Sequence, residues 1–290
     1  MILRWLVGVL FTLALGCVSV ASWVVLASEW HFRSFDRPAA FALAIPSDAA
    51  ALSRGDHLVR TRGCRGCHGE DLAGQVMWGY AVAPNLPALA RSESGATLEA
   101  AIRHGIGRDG RALFSMPSYN FVRLRDTDMA DMLAYLRSVP VVEKALPGAS
   151  LPWSVRFDIA RGKDAAMPAY VPRVPPLRRS DDPDPRMARG EYLAMTTCNE
   201  CHGLGLRADS PWEGETAPDL VVIRAYDEAA FRRLMRLGIA LGERELPMMS
   251  PVARGRFAHF SDEEVADVFA FLTDMSARAA AAEAARETRR

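Results

Sequence analysis

Two copies of the pattern C-x-x-C-H constrain this 290-residue chain more than any other feature of its sequence. The copies are 134 residues apart, and their cysteines and histidines are Cys64, Cys67 and His68, then Cys198, Cys201 and His202. C-x-x-C-H is the attachment signature of c-type haem, in which the two thiols bond to the porphyrin and the adjacent imidazole binds the iron. The pattern therefore predicts two covalently bound haem c groups.

Two other uses of paired cysteines fit the pattern less well. Zinc sites usually place C-x-x-C pairs about 15–20 residues apart, and a thioredoxin-like redox dithiol expects a βαβ context. The pairs here are much further apart, and the sequence shows no alternation typical of strands. Zinc would also leave the two histidines without a role, so haem attachment is favoured.

The motifs lie inside a longer repeat. A proline follows each motif histidine by 16 residues, as Pro84 and Pro218. Beyond it, both copies contain a helical pattern that ends in Gly-Ile, and then a last amphipathic helix. In the second copy Ser261 and Glu264 predict a capping box at the start of that helix. The sequence therefore predicts two all-helical units, each with a small core that a haem would supplement.

Methionines are candidate ligands for the opposite face of each iron. Met116 and Met249 follow the motif histidines by 48 and 47 residues, and both lie between the Gly-Ile helix end and the last helix. A thioether is a soft, neutral ligand, and His/Met ligation raises the haem potential. Methionine also fills gaps in protein cores. Met248 is an alternative to Met249, and His259 is an alternative ligand in the same region.

The order of Gly-led helix, C-x-x-C-H, proline loop, methionine loop and terminal helix resembles class I cytochrome c, twice over. The resemblance implies an all-α fold of two tandem cytochrome c domains, residues 47–145 and 185–278, with Met116 and Met249 as distal ligands. It places Pro84 and Pro218 in the loop whose carbonyl accepts the ligand histidine N–H. The aromatic residues implied to pack near the haems are Tyr135 and Phe271. The chain also resembles membrane-anchored diheme cytochromes that accompany periplasmic dehydrogenases.

An uncharged apolar run of 23 residues, from Trp5 to Ala27, predicts a transmembrane anchor within residues 1–30. At 1.5 Å per residue a helix of this length spans roughly 34 Å, enough for a bilayer core of about 30 Å. A cleaved signal peptide is the alternative, although its apolar region is typically only about 7–15 residues long. Cys17 lies within the run and is predicted to be a bystander.

Residues 146–184, between the two units, are rich in proline and are therefore predicted to be extended rather than helical. Trp153, Phe157 and Tyr170 in this stretch suggest a strap that lies across both units and holds their haems in a fixed relation. A flexible tether is the alternative. Residues 279–290 are predicted to be a charged tail that begins as an exposed helix.

Two irons closed on both faces by protein ligands leave no open position for a substrate. We therefore expect a carrier of single electrons rather than an enzyme. The expected redox partners are a dehydrogenase, a quinol-oxidising complex, a soluble cytochrome or a terminal oxidase. A diheme peroxidase with one haem that opens, and a haem-based sensor, are the alternatives. Because 35 basic residues balance 35 acidic ones, a nucleic-acid partner is not expected.

The cytochrome c resemblance implies that haem is attached on the outer face of the bacterial cytoplasmic membrane. The expected arrangement is therefore a single N-terminal span in that membrane, with both haem units in the periplasm.

Overall fold

The computed structural model describes residues 1–39, 44–208 and 217–289. In these ranges the chain is mostly helical, with two short β-hairpins. The predicted all-α class is therefore confirmed.

The N-terminal apolar run forms helix α1 (Ile2–Arg33). It is long and apolar enough to cross a membrane, and only 6% of its most apolar window is buried. The core helix of a globular protein would be mostly buried, so this exposure fits a membrane anchor or a signal sequence. The few buried side chains of α1 are Val24, Ser28 and Phe32, which follow one another at a spacing of four and so form a single stripe.

The first unit is a set of short helices around a small core. Its elements are α2 (Ala49–Thr61), α3 (Cys64–His68), the hairpin β1 (Gln75–Met77) and β2 (Ala81–Ala83), α4 (Leu86–Ser92), α5 (Gly95–His104) and α6 (Asp126–Ser138). The first and last of these helices, α2 and α6, cross in contact at Gly55. A Cβ atom there would lie 2.1 Å from the carbonyl oxygen of Asp131 and 2.6 Å from Cβ of Tyr135.

The connecting segment is packed rather than free, and part of it is helical. Residues Trp153–Ala160 form helix α7, so the expectation of an extended strap is wrong for this stretch. Met167 is buried beside Tyr119 of the first unit in a core cluster that continues into the second unit. Tyr170 stacks edge-on against Tyr119, with ring centroids 6.2 Å apart. The segment therefore contacts both units, as expected, whereas Phe157 meets Trp23 of α1 and Trp153 is 58% exposed.

The second unit repeats the design of the first. Its elements are α8 (Pro185–Met195), α9 (Asn199–His202), α10 (Glu228–Leu237), the hairpin β3 (Ile239–Ala240) and β4 (Arg244–Glu245), α11 (Met249–Gly255) and α12 (Asp262–Glu287). Helices α8 and α12 cross at Gly190, where a Cβ atom would lie 2.1 Å from the carbonyl oxygen of Asp267 and 2.7 Å from Cβ of Phe271. The predicted capping box of Ser261 and Glu264 at the start of α12 is confirmed.

Candidate haem attachment sites

The first motif forms its own short helix. Gly63, with φ of 78°, turns the chain between α2 and α3, so that α3 begins at Cys64. On one helical turn, residues three apart lie on the same face, and Cys64 and Cys67 have this spacing. Both are free thiols of intermediate burial. The two thiols and the histidine at the end of this turn could together hold a flat prosthetic group against one side of the helix.

The histidine of the first motif is held by one specific contact. His68 is 7% exposed, and its Nδ1 lies 2.8 Å from the carbonyl oxygen of Pro84. A carbonyl only accepts, so Nδ1 carries the proton and Nε2 keeps its lone pair for a metal. Burial lowers the pKa of His68, which favours the neutral imidazole that iron requires. This is the hydrogen bond that the resemblance implies.

The loop between His68 and Pro84 is shaped by local backbone contacts. The amide of Gly74 donates to the carbonyl of His68 at 2.8 Å, and the amide of Leu86 donates to the carbonyl of Leu72 at 2.9 Å. Leu72 is fully buried and has φ of 58°, a left-handed conformation that is uncommon outside glycine. The buried side chain therefore holds a strained turn that brings Pro84 back over the histidine.

The second motif has the same geometry. The Nδ1 of His202 lies 2.8 Å from the carbonyl oxygen of Pro218, and burial lowers the pKa of His202. Leu206 takes the place of Leu72: it is buried, has φ of 64°, and accepts the amide of Leu220 at 3.1 Å. Part of this loop, residues 209–216, lies outside the described ranges.

The cysteines do not have the properties of a redox dithiol or a zinc site. Burial raises the pKa of Cys64 to about 11 and also raises the pKa of Cys67 and of Cys198. Reactive thiols have lowered pKa values instead. Nor do the described residues contain a cluster of three or more His, Cys, Asp or Glu side chains able to hold a metal ion. Both alternatives considered from the sequence therefore lack support.

The two candidate methionines are placed differently from the neighbour Met248. Met116 is partly buried, and its carbonyl accepts the amide of Ser118 at 2.8 Å, while the Ser118 hydroxyl donates to Ala101 of α5 at 2.8 Å. Met249 packs against the core of the second unit, whereas Met248 is 55% exposed. A ligand to a buried iron has to face the interior, so these positions favour Met249 over Met248.

The side-chain amide of Asn120, four residues after Met116, is also consistent with a bound prosthetic group. Asn120 is fully buried, and neither its Nδ2 nor its Oδ1 has a hydrogen-bond partner among the described residues. Buried polar groups are normally paired, so this amide fits a site that is completed by polar atoms of a prosthetic group. The oriented histidine, the two thiols and this buried amide are together compatible with a bound haem c.

Residues 52–140 match the family model of cytochrome c. The chain contains a cytochrome c domain. The match covers the first motif, Pro84 and Met116, and ends close to the last residue of α6. The recognition of class I cytochrome c from the sequence is thereby confirmed.

The similarity of this chain to curated relatives extends beyond the matched domain. The gluconate 2-dehydrogenase cytochrome c subunit of Pantoea cypripedii is 23% identical over 270 residues, which cover 79% of this chain and 60% of the relative. The alcohol dehydrogenase (quinone) cytochrome c subunit of Gluconobacter oxydans is 31% identical over 183 residues, 56% of this chain and 37% of the relative. A diheme cytochrome c-type protein of Cereibacter sphaeroides is 28% identical over 187 residues, 55% of this chain and 61% of the relative. The chain therefore spans between 37% and 61% of the length of these three relatives.

The two motifs are linked through shared contacts, and nothing in the sequence indicated this link. Arg256, just after α11, donates from Nη2 to the carbonyl of Arg62 at 2.7 Å and to Oε2 of Glu200 at 2.8 Å. Glu200 is an interior residue of the second motif, and Arg62 lies two residues before the first. Tyr119 adds a third link by donating its hydroxyl to the carbonyl of Glu200 at 3.0 Å. These contacts depend on how the two units pack together, which the repeat pattern does not specify.

The other histidines have packing or surface positions. His57 contacts Glu264 across the two units at 2.9 Å, and Nε2 of His31 accepts the amide of Ala166 at 2.9 Å. His104 pairs with Glu99 at 3.3 Å. The alternative ligand His259 lies exposed on the surface, an unsuitable position for a ligand to a buried iron.

Proposed function

We propose that this chain is a diheme cytochrome c that carries single electrons as the cytochrome subunit of a membrane-bound dehydrogenase. The observation that carries the proposal is the repeated histidine–proline contact, 2.8 Å in both units. Such a contact orients an imidazole for a metal, and each copy stands beside a C-x-x-C pair. The diheme protein among the relatives supports the same haem number.

The ligand set proposed for each haem is drawn from one unit. Cys64 and Cys67 would tether the first haem, and His68 and Met116 would bind its iron. The corresponding residues for the second haem are Cys198, Cys201, His202 and Met249. The bound haem supplies an iron that changes between ferric and ferrous states by one electron. With a protein ligand on each face, neither iron is open to substrate, which favours electron transfer over catalysis.

The proposed location is the bacterial cytoplasmic membrane, with α1 as the single span and both haem units in the periplasm. The exposed apolar surface of α1 supports an anchor. Relatives named as cytochrome subunits of gluconate, alcohol and fructose dehydrogenases support a dehydrogenase as the electron donor. A soluble cytochrome or a terminal oxidase would accept the electrons, and a quinol-oxidising complex would be an alternative donor.

The haem number is tested by pyridine haemochrome spectra on the purified full chain, whose polypeptide is measured independently. We expect two haems c per chain, and one after Cys64→Ser combined with Cys67→Ser, or after Cys198→Ser combined with Cys201→Ser. His68→Ala should disturb the first haem by removing a ligand of its iron. One haem in the parent chain would contradict the diheme proposal, and no covalent haem would contradict the cytochrome proposal altogether.

The distal ligands are tested by substitution of each methionine with alanine. Met116→Ala and Met249→Ala should each open one iron, which is measured as new binding of carbon monoxide to the reduced protein. Met248→Ala is the matched control, because the exposed Met248 should leave both irons closed. Carbon monoxide binding or peroxide turnover by the parent chain would instead favour the peroxidase alternative.

The donor is tested in membranes of the native organism. The full chain, solubilised with mild detergent and captured by an affinity tag, should bring down a dehydrogenase identified by mass spectrometry. Addition of that enzyme's substrate should reduce the haems of the captured complex within the mixing time. A chain that is isolated alone, and that no dehydrogenase reduces, would contradict the partner but not the haem sites.

A further inference from the structure

Helix α7 of the connecting segment is fastened to the last turns of α1. The ring of Phe157 meets that of Trp23 edge-on, with centroids 6.3 Å apart. Arg156 donates from Nη1 to the hydroxyl of Ser28 and to Oε1 of Glu29, both at 3.0 Å. These contacts cover the buried stripe of α1, in which Val24 is 3% exposed and Ser28 fully buried. Helix α7 therefore has a fixed position along α1.

That position corresponds to the edge of the proposed membrane span. The apolar run of α1 ends at Ala27, four residues after Trp23, so Trp23 lies roughly 6 Å inside the end of the run at 1.5 Å per residue. Because Phe157 touches Trp23, its ring lies at a similar depth. Glu29 lies on the other side of the boundary, with its carboxylate paired to Arg111 and Arg156 at 3.0 Å each.

The aromatic side chains on both sides of this boundary are exposed. Trp153 and Phe157 of α7 are 58% and 41% exposed, and Trp23 and Trp30 of α1 are 46% and 77% exposed. Trp153 and Phe157 are four residues apart and so lie on the same face of α7. Contiguous exposed apolar surface marks an interaction site, and tryptophan is favoured where a membrane meets water.

We infer that α7 is an interfacial helix that inserts Trp153 and Phe157 into the boundary between lipid headgroups and acyl chains beside α1. The inference rests on the proposed membrane anchoring. We assign the lipid bilayer as the partner of this face of α7, because the exposed aromatic face is continuous with the apolar surface of α1. Trp153 and Phe157 of the proline-rich segment thus serve contact with the membrane, whereas Tyr170 of the same segment packs against Tyr119 of the first unit.

The contact of α7 with the membrane would also position the first haem unit at the bilayer surface. The loop that carries Met116 is attached to the same end of α1: the amide of Ala112 donates to the carbonyl of Phe32 at 2.8 Å, and Phe114 meets Phe32 edge-on at 6.3 Å. Two membrane contacts, α1 and α7, therefore hold this loop against the bilayer surface. The methionine side of the first haem would face the membrane, where electrons are exchanged with membrane-embedded redox partners.

The inference is tested by labelling the purified full chain from within a bilayer. The chain is inserted in vesicles of phosphatidylcholine and phosphatidylglycerol that contain a phosphatidylcholine with a diazirine in its acyl chain. After illumination, labelled peptides are mapped by mass spectrometry. We expect label on α1 and on α7, and none on the β1–β2 hairpin, where Trp78 is 59% exposed and serves as the internal control.

A variant pair makes the assignment specific. Trp153→Ser combined with Phe157→Ser should reduce labelling of α7 at least several-fold, with the haem content and the labelling of α1 unchanged. Trp78→Ser is the matched control, since it removes an equally exposed tryptophan and should leave the labelling of α7 as it is in the parent chain.

Each other outcome overturns a separate claim. Label on α1 alone would contradict the interfacial role of α7 and leave the anchor intact. Label on neither helix, or an intact mass that lacks α1, would contradict the proposed anchoring itself. Label on α7 in vesicles but not in native membranes would show that a protein covers this face, and would also overturn the assignment to lipid.

Discussion

Arg256 and Glu200 form an ion pair, 2.8 Å between Nη2 and Oε2, between the two C-x-x-C-H motifs. The side chains are only 12% and 22% exposed. The same nitrogen also donates to the carbonyl of Arg62, next to the first motif. Burial lowers the pKa of Arg256, but the attraction of nearby Glu200 and its hydrogen bond outweigh burial, so the pKa is raised and the guanidinium stays charged. One fixed positive charge therefore joins both attachment sites.

Arg256→Gln should reduce the free energy of unfolding by about 3–5 kcal/mol, since it leaves the Glu200 carboxylate without its partner in a shielded interface. The measurement is denaturant unfolding of the haem-loaded chain, followed by circular dichroism. Arg254→Gln is the matched control, because Arg254 pairs with Glu245 while their side chains are 44% and 69% exposed. Such exposed pairs contribute about 0–1 kcal/mol. If Arg256→Gln costs no more than Arg254→Gln, the ion pair does not hold the two motifs together.

Gly63→Ala should impair the first attachment site specifically. Gly63 has φ of 78°, and a Cβ atom there would lie 2.0 Å from Nη2 of Arg256. The left-handed conformation alone costs about 1–2 kcal/mol for a residue with a side chain, and Arg256 would have to leave the ion pair as well. We expect a lower melting temperature and less haem at the first motif, measured on peptides that carry covalent haem.

Gly66→Ala is the control within the same motif. A Cβ atom at Gly66 meets nothing within 4 Å, and its φ is not in the left-handed region. Alanine should therefore be tolerated, and is expected to stabilise the short helix by about 0.5–1 kcal/mol. Equal effects of the two substitutions would contradict the role given to the turn at Gly63.

Gly55→Ala and Gly190→Ala should have matching, large effects, because each places a Cβ atom 2.1 Å from a backbone oxygen of the facing helix. Overpacking in a core costs typically about 1–3 kcal/mol and sometimes more, and here the obstructing atom belongs to a backbone. The measurement is the free energy of unfolding. Gly255→Ala, where a Cβ atom meets nothing within 4 Å, is the control. A large effect at only one of the two crossings would show that the repeats pack differently.

The sequence was sufficient to predict the local structure within each repeat. The helical patterns and the capping residues are local or repeated signals, and they predicted the helical units and the capping box at Ser261. The contact of His68 with Pro84 was implied by the resemblance to class I cytochrome c. The crossing of first and last helices at Gly55 and at Gly190 was not predicted, although both glycines belong to the repeat.

What the sequence did not predict depends on how the repeats face each other. Arg256 and Gly63 are far apart in the chain, and their contact has no periodic pattern and no copy in the other repeat. Helix α7 was missed because nearby prolines indicate extended chain. Its eight residues contain no proline, and contacts with α1, such as that of Phe157 with Trp23, support it.

Stability should fall at acidic pH partly through Glu264. Burial raises the pKa of this carboxyl, but hydrogen bonds from His57 and from the Ser261 amide outweigh it, so the pKa lies below its ordinary value of 4.5. The unfolded chain therefore takes up the proton at higher pH than the folded chain does. The stabilisation is fully present above about pH 4.5 and is lost as the pH falls through the folded-state pKa.

Glu264→Gln should accordingly flatten the dependence of unfolding free energy on pH below about 4.5, while the capping box is retained because glutamine also serves at this position. The measurement is denaturant unfolding at a series of pH values, with haem content checked at each. Glu263→Gln, which removes the same charge from a side chain that is 72% exposed, is the control for charge alone. A variant of Glu264 with an unchanged or steeper slope would show that its contact with His57 does not stabilise the interface between the two units.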